Sequence, residues 1–196
     1  MRSFLAILLL ALCAGCFSSG RPEAKRWTVE PSSAPPQEQG MEKPSAAFGM
    51  TRVGTVVVNA PFDRTSFVVR RSDGSVAFDA YNEFASTPSA LLRTPVQKML
   101  ASDGRFGHVV SPSSAASADA SVEVMVTDLS LDCRESGQRK ARAAVCVDVV
   151  KTGHGPRTVA LSADGTSEAD ASAGDFSAAF SKAFNEALAE ALKVLK

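Results

Sequence analysis

One apolar stripe near the C-terminus constrains the fold more than any other feature of the chain. Phe176, Ala179, Phe180, Ala183, Phe184, Ala187, Leu188, Ala191, Leu192 and Leu195 recur at the 3.6-residue spacing of a helix. Asp175 suits the N-terminal end of that helix, and Lys193 and Lys196 suit its C-terminal end. A helix with one greasy face must bury it against another layer. Three Phe on one stripe read as core. The alternative is a surface groove for a partner or an acyl chain.

The covering layer is supplied by strands. Thr55–Val58 is a β-branched run ending at the turn Asn59-Ala60-Pro61. Ser66–Arg71 and Val76–Tyr81 form a hairpin around Ser72-Asp73-Gly74-Ser75, where Asp-Gly supplies the positive φ of a tight turn. Two long strands follow at 121–133 and 141–151, and a last one at 158–166. In the first long strand Val122, Val124 and Val126 share one parity and Leu129, Leu131 and Cys133 the other, which predicts a bulge near Thr127-Asp128. Between the two sets of strands lies STPSALLRTPVQKMLASD, residues 86–103. Thr87-Pro88 starts a first turn over 88–93, and Thr94-Pro95-Val96-Gln97 reads as a capping box opening a helix over 95–102. The order strands, helix, strands, helix predicts an α+β domain. Its expected form is two-layer, with a mostly antiparallel sheet and both helices on one face.

The first sixteen residues, MRSFLAILLLALCAGC, belong to a different class. A positive start at Arg2 precedes an apolar run from Phe4 to Leu12, too short to cross about 30 Å of hydrocarbon and of the length of a signal-peptide core. Small residues Ala14 and Gly15 then precede Cys16, which resembles the bacterial lipobox, with Cys16 as the lipid-modified mature N-terminus. Ordinary secretory cleavage and a retained N-terminal anchor are the alternatives. Phe17 stands where Asp is the usual inner-membrane retention signal, so the resemblance points to the outer membrane and a periplasm-facing domain. Residues 17–50 hold Pro22, Pro31, Pro35, Pro36 and Pro44, half of the ten prolines in the chain, and show no apolar periodicity. They read as a polar tether that, pulled out, spans roughly 110 Å. Trp27 and Val29 sit inside it, either as a lone exposed aromatic with a neighbour or as a local docking point. The expected organisation is a signal peptide at 1–15, a lipidated N-terminus and flexible tether at 16–52, and one α+β domain at 53–196.

Cys133 and Cys146 flank the 134–140 loop on successive strands of an exported chain, where disulfides persist. A Cys133–Cys146 disulfide is expected, although strand parity opposes it, since direct pairing puts Leu131 opposite Asp148. One buried and one exposed thiol is the alternative.

Motifs for chemistry are missing. Lys+Arg and Asp+Glu both number 21, which leaves no basic excess for a nucleic-acid partner. There is no P-loop, no H-E-x-x-H and no G-x-S-x-G. The two His, His108 and His154, have no visible catalytic partner. Glu168, Asp170 and Asp175 lack the patterned oxygen spacing of a calcium loop and read as solvated, as do Arg70-Arg71 and Arg139-Lys140-Arg142. No cofactor and no metal are expected, and the chain reads as a non-enzyme.

An ordered set of features carries a family resemblance. Cys16 is followed by a hairpin ending in Tyr81-Asn82-Glu83-Phe84. A Pro-started helix runs from Leu91-Leu92 through Leu100 to Ser102-Asp103-Gly104-Arg105-Phe106-Gly107-His108-Val109. Two long strands and an Ala-rich amphipathic helix complete it. This resembles the ABC-type transport auxiliary lipoprotein family, the PqiC-like proteins. The resemblance implies a lipid-anchored, non-enzymatic component of an ABC-type lipid transport system that docks on MCE-domain and permease subunits. Some members form ring oligomers, so it also allows a homo-oligomeric ring. A long Pro-rich tether on a small α+β domain resembles a second class, the LpoB-like activators of peptidoglycan synthases.

Overall fold

The computed structural model describes residues 23–32, 47–151 and 158–195. Its elements are β1 (Lys25–Trp27), β2 (Met50–Val58), β3 (Ser66–Arg71), β4 (Val76–Phe84), α1 (Pro88–Leu91), α2 (Arg93–Ser102), β5 (His108–Val110), β6 (Ala120–Cys133), β7 (Lys140–Lys151), β8 (Thr158–Asp170) and α3 (Phe176–Val194). The α+β class is as expected. The sheet is mostly antiparallel, as expected, but mixed. The long ladders β6–β7 and β7–β8 and the β3–β4 hairpin are antiparallel. Four pairings, β1–β4, β2–β5, β2–β6 and β3–β6, are parallel.

The parallel part follows from how β2 meets β3. They do not fold back as a hairpin. β2 lies along the first half of β6, with Val53 beside Val122 and Val58 beside Val126. After the break at 59–65, β3 takes up the same edge of β6, with Val68 beside Ser130 and Arg71 beside Cys133. At that break β6 has its own irregularity between Val126 and Asp128. The bulge expected from parity is therefore real, and it flips the second half of the strand. Val122, Val124 and Val126 face the core before it, and Leu129 and Leu131 after it.

Helix α3 lies against β7 and β8. Every member of its predicted stripe is buried. Phe180 meets Phe67 at 4.9 Å and Phe84 at 5.0 Å between ring centres, so one aromatic cluster joins the helix to the hairpin. Asp175 caps the helix, accepting from the Ala178 amide at 3.0 Å. Gly165 allows the closest approach. A Cβ there would stand 2.0 Å from the Ala187 carbonyl oxygen.

The capping box at Thr94-Pro95 is not used. Helix α2 begins at Arg93, with Leu92 before it and no side-chain cap. Pro95 then falls in the first turn, where its missing N–H has no helical partner to lose. Arg105 does a related job for α3, donating to the carbonyls of Leu192 and Leu195 at its C-terminal end.

Candidate docking surfaces

Cys16 lies outside the described residues. The other two predicted site residues are free thiols, so the expected disulfide is corrected. The β6–β7 register places Cys146 opposite Met125, and Asp132, the neighbour of Cys133, opposite Lys140. The two cysteines are thus separated along the ladder by most of its length. They also use opposite faces. Cys133 packs against the core with Leu131, while Cys146 alternates with buried Val145 and Val147. Burial raises the pKa of both thiols above the ordinary range. A raised pKa leaves less thiolate, so neither is an activated nucleophile.

The tether is corrected in part. Residues 23–32 are folded onto the domain. β1 adds to β4 in parallel, with Lys25, Arg26 and Trp27 beside Asn82, Glu83 and Phe84. The Trp27 indole N–H donates to Asn82 Oδ1 at 3.1 Å, and its ring meets Phe176 edge-on at 5.3 Å. Val29 is buried. Ser177 Oγ donates to the Thr28 carbonyl, the Glu30 amide to Ser181 Oγ, and Asn185 Nδ2 to the Glu30 carbonyl. Trp27 is a docking point, not a lone exposed aromatic. The alternation of Trp27 and Val29 was the available signal, but it is too short to survive averaging over the 34 residues of 17–50.

The sheet face turned away from α3 carries a charged network that sequence reading missed. Asp128 lies after the bulge on that face and is 7% exposed. It receives Arg70 at 2.9 Å and Arg142 at 3.2 Å, and Arg142 reaches on to Glu168 at 3.0 Å. Ser130 Oγ donates to Asp128 Oδ1. Asp132 is paired with Arg134, whose hydrogen bond holds its carboxyl below the usual range. Arg70 and Arg142 are therefore about two-thirds covered and paired rather than solvated. A recess of about 230 Å³ beside this network is lined by Asp132, Arg134, Glu135, Gln138, Lys140 and Glu168. Its charges already satisfy one another, as Lys140–Glu135 also shows. Among the described residues, no group of three or more His, Cys, Asp or Glu is placed to hold a metal.

Exposed apolar groups lie next to this network on β4, where Val76 is the ladder partner of Arg70. On β4, Val76 and Phe78 are each 47% exposed and Tyr81 is 57% exposed. Arg64 stacks over the Phe78 ring at 3.6 Å. On the face opposite α3, Val57 and Met125 line a second recess of about 380 Å³. Phe106, from the Gly-x-Phe passage, is instead wholly buried and stacks on Phe48 at 5.3 Å.

The described residues form a small α+β domain whose charges are largely paired and whose exposed apolar groups lie on its strands. The chain belongs to the ABC-type transport auxiliary lipoprotein component family, whose model matches residues 31–193. Its fold is similar to the crystal structure of protein XCC0632 from Xanthomonas campestris, with a TM-score of 0.59 and 15% identity, over 86% of this chain and 91% of that one. A second solved structure, of an uncharacterized protein, matches with a TM-score of 0.54 and 13% identity, over 89% and 99% of the two chains. No curated protein matches the chain.

Proposed function

We propose that the chain is a lipid-anchored, non-enzymatic auxiliary component of an ABC-type lipid transport system, docking on its MCE-domain and permease subunits. In this reading residues 1–15 are a signal peptide, Cys16 carries the lipid, and the domain faces the periplasm from the outer membrane. The observation that carries it is the family match over 31–193, downstream of a lipobox-like Cys16. Among the described residues no helix is long and apolar enough to cross a membrane, which agrees with anchoring by lipid. The competing activator reading drew on a long tether, and the docking of residues 23–32 removes much of that length. Mild crosslinking in the native host followed by affinity capture tests the proposal. Recovery of MCE-domain and permease subunits is the expected result. Recovery of a peptidoglycan synthase without them would transfer the chain to the activator class.

A further inference from the structure

We propose that the outer edge of β4, with Val76, Phe78 and Tyr81, rests on the bilayer that holds the Cys16 lipid. The inference depends on the anchoring reading above and adds to it the orientation of the domain. The argument begins with the length of the leash. β1 is part of the domain, so the free chain is not the whole of 17–50. Only six residues separate Cys16 from Glu23, the first described residue. Fully extended, that stretch spans at most about 25 Å, against roughly 110 Å for the uninterrupted tether.

The second step is where the leash arrives. β1 runs parallel to β4, and Lys25 stands beside Asn82. The chain before Lys25 therefore approaches from the Tyr81 side of Asn82, toward the hairpin tip at Ser72–Ser75. β1 pairs only with Asn82–Phe84. The chain that leads from the anchor thus enters the domain at the edge that carries the exposed apolar groups of β4. A leash of at most about 25 Å keeps the bilayer close to this edge.

The third step is chemistry. Tyr favours the headgroup region, where an apolar ring and a polar tip are both accommodated, and Phe78 and Val76 add apolar surface to the contact. Arg64, stacked on Phe78, keeps its charge at the ring and suits a phosphate at that depth. Other charges near the strip balance, with Lys25, Arg26 and Arg71 against Asp73, Asp79 and Glu83, and Arg70, opposite Val76, is paired with Asp128. The seat is therefore apolar rather than electrostatic, and it should tolerate salt. Covering the edge also removes an open strand that would otherwise invite pairing.

The test uses the full-length chain, purified from membranes and placed in phosphatidylethanolamine–phosphatidylglycerol vesicles carrying a diazirine phospholipid. Trypsin isolates the strip in one peptide, Ser72–Arg93. Photolysis should label that peptide at least tenfold above peptides of α3, equally in low and high salt, and Phe78→Ser should cut the yield several-fold. The intact mass reads the anchor separately. Lipid on Cys16 with labelling confined to the N-terminal peptide overturns the orientation and leaves the anchoring intact. An unmodified Cys16 overturns both. Concentration-dependent protection of Ser72–Arg93 in the secreted Cys16→Ser chain, without vesicles, overturns it in favour of a second copy.

Discussion

At the scale of single residues, the network on the face away from α3 is held by one carboxylate. Asp128 is nearly buried and serves two guanidiniums that keep about a third of their surface in water. Asp128→Ala should cost about 1–3 kcal/mol, between the values for exposed and buried pairs. Glu135→Gln, at an exposed pair with Lys140, should stay within about 0.5 kcal/mol of the parent, both variants being read by urea titration. Asp103 gives a pH signature. Burial alone would lift its carboxyl, but the side-chain and backbone hydrogen bonds from Arg105 outweigh burial and hold it below its ordinary value. A carboxyl depressed in the folded state stabilises the fold above its unfolded value of about 4 and loses that contribution as the pH falls through the folded one. Asp132, held down by Arg134, acts in the same direction. Urea midpoints should therefore fall between about pH 5 and pH 2. Asp103→Asn should flatten that slope, and an unchanged slope would remove Arg105 from the account.

At the scale of elements, register decides more than composition. The twelve-pair β6–β7 ladder, with its shift at Val126/Asp128, sends the two cysteines to different faces and different heights. Unfolded without reductant, the mature protein should expose two alkylatable thiols, Cys133 and Cys146. A single disulfide-linked species in the intact mass would contradict the register. Helix α3 depends on Gly165, where a side chain would meet the Ala187 carbonyl. Gly165→Ala should destabilise by about 1–3 kcal/mol through overpacking, read by denaturant midpoint. Isolated glycine within a strand is the sequence signal for such an approach. The same helix guards the last strand. Glu190 accepts from the Thr166 amide at 2.7 Å, and Glu186 accepts from Ser167 Oγ at 2.8 Å. At the opposite side of the sheet, Trp27→Ala should cost about 1–3 kcal/mol, less than a fully buried Trp. It should also speed exchange of the Ala85 amide, which donates to the Trp27 carbonyl.

At the scale of the whole molecule, the added strand changes how the chain is tied down. A Gly/Ser spacer of about twenty residues placed before Glu23 should lower lipid labelling of Ser72–Arg93 several-fold, because a longer linker dilutes the bilayer at that edge. Unchanged labelling would mean that the strip holds the membrane by its own affinity.

The helical stripe, the Asp-Gly hairpin turn, the bulge in β6 and the existence of the long strands were all legible from periodicity alone. Each is a local property, set by a spacing of two or 3.6 residues and by one or two turn residues. The family resemblance was legible for a related reason, since it rests on the order of those local pieces. Strand partners were not legible. Pairing β2 and β3 end to end on one edge of β6 depends on where distant chain segments meet, and residue spacing carries no record of that. The Asp128 network followed from the same contact, because Arg70 and Arg142 come from strands on either side of β6. Trp27 and Val29 were too few to outweigh a proline-rich background. Only the finished sheet, with β4 presenting an open edge beside Phe176, shows why the ten residues 23–32 are worth ordering there. The sequence by itself thus determined the elements and the kind of chain, whereas tertiary structure decided which faces meet, which charges pair and that residues 23–32 join the sheet.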